Sequence, residues 1–124
     1  MSLLSSAARE QNRDILARIK RKTVRCPALV HQGNLFQRVM VVDFNASGLG
    51  LDHTFALTVG QRVEIEVLTG HRLAGKVAWA IGSRAGVEFA RPMSARDPTY
   101  VHLVEWSERP PPTLLLMPHW RARP

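Results

Sequence analysis

Between Ala28 and Ala90 the chain is cut into short apolar runs by small turn-forming residues, and that rhythm leaves few architectures open. Ala28–His31, Leu35–Phe44, Gly48–Asp52, Arg62–Leu68, Arg72–Ile81 and Arg84–Ala90 read as strands. Turns are marked by Gln32-Gly33-Asn34, Thr69-Gly70-His71 and Gly82-Ser83. Val63-Glu64-Ile65-Glu66-Val67 alternates cleanly, which predicts a half-buried strand with its acids outward. Leu73, Val77, Trp79 and Ile81 share one parity, so they are expected to face one core, and Phe44, Trp79 and Phe89 read as core aromatics. Six short strands joined mainly by tight turns predict a mainly β fold, a six-stranded antiparallel barrel that is closed or nearly so.

Two helices flank the strands in this reading. Over residues 3–20, Leu4, Ala8, Ile15 and Ile19 fall near one stripe, while Thr23, Val24 and Pro27 end the pattern by Lys22. After the strands, Asp97 is a good N-cap and Pro98 suits the first helical position. Tyr100, Val101, Leu103, Val104 and Trp106 then give an apolar face, and Arg109-Pro110-Pro111-Pro112 stops it. The tail carries Leu114-Leu115-Leu116-Met117 and reads as extended. At 124 residues this makes one domain with appendages: a helical extension over 1–19, a barrel with its C-terminal helix over 20–108, and a Pro-rich tail over 109–124.

Charge is distributed unevenly. Residues 1–38 hold eight Lys and Arg against two acids, and residues 39–124 hold nine against eight, so six of the seven net positive charges lie in front of most of the barrel. Arg18, Lys20, Arg21, Lys22 and Arg25 crowd a segment with no acid in it. Such a cluster suits phosphate on a nucleotide, a nucleic acid or an acidic surface, and equally a solvated basic helix end. Cys26 is the only cysteine, so no internal disulfide forms. No run of eighteen apolar residues and no signal-peptide pattern occurs, and a cytoplasmic protein is expected. The five histidines are scattered without metal-ligand spacing, and no Walker-type phosphate loop occurs. No metal, no cofactor and no enzymatic activity are expected.

The densest motif is Asn45-Ala46-Ser47-Gly48-Leu49-Gly50, placed after the apolar run Val39-Met40-Val41-Val42. Alone it describes a tight bend with Asn45 and Ser47 on one side. About twenty residues earlier stand Arg21 and Arg25, four apart. Arg-x-x-x-Arg followed by Asn-x-Ser-x-x-Gly resembles the ligand-binding pattern of the PilZ domain, a bacterial receptor module for the second messenger cyclic di-GMP. Arg25-Cys26-Pro27-Ala28, Val59-Gly60-Gln61-Arg62-Val63, Gly75-Lys76-Val77-Ala78-Trp79 and Ala85-Gly86-Val87-Glu88-Phe89 are similar to further strands of that family, from about Lys20 to Ser107.

The resemblance implies a PilZ-like barrel whose ligand is cyclic di-GMP. It implies that Arg21 and Arg25 grip phosphate and guanine, that Asn45 and Ser47 meet the guanine edge, and that Gly50 permits the bend. Lys20 stands where the family's ligand number is influenced, and with Arg18 and Lys22 nearby two ligands per chain are expected. The arginines fall on the joint between helix and barrel, so binding is expected to order residues 18–25 and relay the signal to a downstream protein. Two other readings stand beside this one: a basic barrel for single-stranded nucleic acid, and a PilZ-like adaptor that binds no nucleotide. Few surface aromatics are expected, which weighs against nucleic acid. The retained motifs weigh against the adaptor.

Overall fold

Val24, Cys26, Ala28 and Val30 occupy every second position of one stretch, and all four are buried. In the computed structural model, which describes residues 20–109, they line the inner face of the first strand. Six strands follow one another: β1 (Lys22–Gln32), β2 (Leu35–Asn45), β3 (Gly48–Asp52), β4 (Arg62–Leu68), β5 (His71–Ile81) and β6 (Arg84–Phe89). One helix, α1 (Pro98–Ser107), comes after them. The strands close into an antiparallel barrel in the order β1-β2-β3-β6-β5-β4, with β1 pairing to β4. Closure joins β1 to β4 at Leu29–His31, so open edge is confined to the N-terminal part of β1 and the ends of β4.

Five of the six expected strands match to within a residue or so, and the first is longer than expected. It starts at Lys22 rather than Ala28 and runs through Pro27. Proline is tolerated there because the pairing of β1 with β4 is confined to Leu29–His31, so Pro27 has β2 alone beside it. Lys22 and Thr23 already pair with Phe44 and Asp43, which makes the joint in front of the barrel shorter than residues 18–25. The helix expected over residues 3–20 lies outside the described residues, save Lys20, which is not helical. The tail beyond Arg109 lies outside them too.

Phe44, Leu49, Leu51, Ile65, Val30, Val41 and Val77 fill the interior, and Leu103 of α1 joins them. The helix starts as its sequence dictates. Asp97 accepts a hydrogen bond from the Thr99 amide at 2.9 Å, with Pro98 at the first turn. Tyr100 meets Phe44 edge to face, their ring centres 5.7 Å apart, so α1 is pinned to β2 from inside the barrel. Val101, expected on the apolar face, is exposed.

Trp79 and Ile81 are corrections. Along β5 the register with β6 runs Val77 to Val87 and then Trp79 to Gly86, one residue of β5 being left over. Such a bulge reverses the alternation beyond it. Ala80 therefore turns toward the core, while Trp79 and Ile81 are 44% and 75% exposed. Phe44 and Phe89 are buried as expected.

Candidate functional site

The turn between β2 and β3 is built by its own side chain. Asn45 Oδ1 accepts from the backbone amides of Ser47 (2.9 Å) and Gly48 (3.0 Å), and the residue is buried. Ala46 and Ser47 offer their carbonyls to Met93 and Phe89, both at 2.8 Å, which ties the turn to the end of β6 and the segment after it. Asn45 thus shapes the turn, and its carbonyl oxygen is engaged inside it.

Beyond the turn, Gly50 pairs with Asp43 on one side and Gly86 on the other. Two glycines side by side leave a patch of bare backbone on the outer wall of the barrel. Larger groups lie over it. The Trp79 indole occupies the space a side chain at Gly86 would need, and the Asp43 carboxylate occupies that of Gly50, 2.6 Å from where a Cβ would stand. Gly48 is bare for another reason: a Cβ there would run into the Val87 carbonyl.

Arg21 reaches this floor from the residue just ahead of β1. Its Nε and Nη2 both donate to Asp43 Oδ1, at 3.1 and 2.5 Å, and the two side chains are 47% and 39% exposed. Together Arg21, Asp43, Asn45, Ser47, Trp79 and Glu88 surround a shallow cavity of about 240 Å³ above the glycines. That is below the roughly 300–1,000 Å³ of pockets that enclose a drug-sized ligand. It can seat one planar group, with the remainder of a larger ligand lying across the surface. A wider hollow of about 680 Å³, sharing Glu88 with it, lies on β4, β5, β6 and the end of β1, lined by Arg62, Lys76, Glu64, Glu88, His31 and Phe89 among smaller residues. Its charges are of both signs, and it gathers no comparable set of groups.

Of the residues expected from the sequence, Arg21, Asn45, Ser47 and Gly50 meet at the cavity. Lys20 and Arg25 do not line it; both are exposed, and Arg25 stands on the outer face of β1 beside the buried Val24 and Cys26. Asp43, Trp79, Gly86 and Glu88 line the cavity and were not expected there. A signal for Asp43 exists, since it is the one charge in the apolar run from Val39 to Phe44. None exists for Trp79, whose direction is set by the bulge.

The cavity therefore offers a cationic fork, a carboxylate, a hydroxyl and an aromatic face around a flat floor. These groups suit a planar heterocycle attached to an anion. Burial pushes the Cys26 thiol up to about 11, the Arg109 charge opposing this weakly, so at neutral pH the sulfur is a protonated core group. Among the described residues, no three His, Cys, Asp or Glu side chains are grouped to hold a metal ion, and no helix is long and apolar enough to cross a membrane.

The model of the PilZ domain family matches residues 9–109 of the chain. Among solved structures, the crystal structure of the PilZ domain of CeSA from a cellulose synthesizing bacterium is similar, with a TM-score of 0.55 and 18% sequence identity. The match covers 73% of this chain and 99% of that one. At this identity the likeness speaks for the fold. No curated protein matches the sequence.

Proposed function

The chain belongs to the PilZ domain family, known as receptors for cyclic di-GMP, and from that premise we propose that it binds cyclic di-GMP, does not transform it, and relays its binding to a downstream protein in the bacterial cytoplasm. The observation that carries this reading is the meeting of Arg21, Asn45, Ser47 and Gly50 around one cavity with an exposed indole in it. These residues come from the segment ahead of β1 and from the hairpin of β2 and β3, so their convergence is a product of the fold.

In this reading one guanine lies on the glycine floor against Trp79, held by the flat contact that aromatic rings make with bases. Arg21 supplies the fork that suits phosphate or the O6/N7 edge of guanine. Ser47 offers its hydroxyl from the turn. Arg25 and Lys20 lie outside the cavity and would meet the part of the dinucleotide, or the second ligand, that the cavity does not hold. The ligand then touches both the entering segment and the wall of the barrel. That double contact is the differential interaction a switch requires.

Calorimetric titration of the full chain with cyclic di-GMP tests the reading, with GTP and a short single-stranded oligonucleotide as controls. Saturable binding of cyclic di-GMP, weaker for both controls, is expected, with two equivalents bound. No cyclic di-GMP binding, or tighter binding of the oligonucleotide, overturns the receptor reading. Linear dinucleotide released in proportion to protein, and persisting through repurification, overturns its non-enzymatic part.

A further inference from the structure

A guanine presents O6, an acceptor, beside N1–H and N2–H, which are donors. Adenine presents the reverse, an N6 amino donor beside the N1 acceptor. A site that tells the two apart must set a donor next to an acceptor in matching order. The acceptor expected for this chain, Asn45, has its carbonyl oxygen turned into the hairpin, where it accepts from the Ser47 and Gly48 amides. An acceptor for a guanine edge must come from another residue.

Asp43 lies in the right place. Its carboxylate sits over Gly50 on the cavity floor and is partly open to solvent. Arg21 loads both its bonds onto Oδ1, and among the described residues Oδ2 accepts none. Arg21 likewise spends Nε and one hydrogen of Nη2 on that oxygen and keeps the Nη1 end of its fork. The ion pair thus sets a guanidinium donor directly beside a carboxylate acceptor, and both residues line the base-sized space that Trp79 bounds.

We propose that Asp43 is the specificity-determining residue of this cavity: Oδ2 accepts from guanine N1–H and N2–H while Arg21, held against Oδ1, donates to O6. This deepens the receptor reading and rests on it. Adenine in the same position would set its amino group against the guanidinium and its N1 lone pair against the carboxylate, two unfavourable contacts in place of favourable ones. A good two-point contact to a base edge discriminates by roughly 5- to 140-fold. The cavity's other carboxylate, Glu88, lies on β6 opposite Gly48 and Lys76, and among the described residues no guanidinium is bonded to it as Arg21 is to Asp43.

The test compares cyclic di-GMP with cyclic di-AMP by calorimetry on the full chain, for the wild type, Asp43→Asn and Glu88→Gln. Asp43→Asn keeps the shape and turns an acceptor-only group into one that also donates. The wild type is expected to prefer cyclic di-GMP, and Asp43→Asn to lower that preference by about tenfold or more, largely through weaker cyclic di-GMP binding. Glu88→Gln, which also touches the cavity, is expected to lower the preference less than Asp43→Asn does. Unchanged preference in Asp43→Asn overturns the assignment while leaving the receptor reading intact, as does collapse of the preference in Glu88→Gln instead. Tighter cyclic di-GMP binding by Asp43→Asn also overturns it, because Asp43 would then be a competitor for Arg21. A wild type that binds neither dinucleotide defeats the receptor reading itself. Superimposable circular dichroism and melting of Asp43→Asn and wild type establish that the binding comparison is between folded proteins.

Discussion

Gly48, Gly50 and Gly86 stand together on one face, and the neighbours that keep each of them bare differ in kind. At Gly48 the obstacle is the Val87 carbonyl, part of the strand that β3 pairs with. Gly48→Ala must push β3 and β6 apart, and a loss of about 1–3 kcal/mol is expected, visible as a lower melting temperature. At Gly86 the obstacle is the Trp79 indole, a side chain on the surface that can swing aside. Gly86→Ala should therefore melt close to the wild type but displace the ring and weaken cyclic di-GMP binding by about 1–3 kcal/mol, the usual worth of a base stack. Fluorescence of Trp79 alone, with Trp106 and Trp120 replaced by Phe, reads the displacement directly; unchanged emission and affinity would remove Trp79 from the site. Arg21 separates the same two quantities. Its exposed ion pair with Asp43 contributes at most about 1 kcal/mol to folding. Yet losing a charged partner of a bound ligand costs about 2–5 kcal/mol, so Arg21→Ala should bind at least roughly thirtyfold more weakly with little change in melting. Arg25→Ala should also weaken binding. Undiminished affinity in both variants would sink the motif assignment.

At the scale of elements, the strands were legible in the sequence because inward and outward positions alternate, and the turns because glycine marks them. The hairpin of β2 and β3 was legible for the same reason. What could not be read were the irregularities between Thr23 and Cys26, between Val41 and Asp43, and between Val77 and Trp79, each of which shifts a strand's register against its neighbour. A bulge adds one residue to one strand and increases its local twist, and nothing in the composition of these segments marks it. These shifts place Asp43 and Trp79 on the outer wall; the lone charge in an apolar run marks Asp43, while nothing in the sequence marks Trp79. The hairpin of β4 and β5 shows a different local device. Glu66 accepts from the Gly70 amide at 2.7 Å and from His31 Nε2 at 2.7 Å, with Arg72 nearby, and these hold its carboxyl below the usual range, the Gly70 bond foremost. A carboxyl with a lowered folded value stabilises the fold fully above its unfolded value, about pH 4.3, and loses that contribution as pH falls through the lower folded value. Melting temperature measured across the acid range should thus drop less steeply in Glu66→Gln than in the wild type; parallel curves would show that this clamp does not couple to stability.

For the molecule as a whole, the site and the helix lie on opposite faces of the same few residues of β2. Asp43 and Asn45 belong to the cavity, while Phe44 between them is fully buried and meets Tyr100 of α1. Capture of a ligand on the outer wall therefore acts on a stretch already braced from within, and the braced part has little left to order. Lys22 and Thr23 are paired to β2 before any ligand arrives. In the proposed reading the change lies at and ahead of Arg21, which would keep its bond to Asp43 as it takes the dinucleotide. Amide hydrogen exchange with and without cyclic di-GMP resolves this, because protection reports local opening free energy along the chain. Slower exchange is expected at residues 18–21 on binding, with Val24 to Val30 unchanged. Equal protection of residues 18–21 in both states would mean that the entering segment carries no signal. A gain spread through β1 instead would mean that the strand itself, and not the segment ahead of it, is what the ligand fixes.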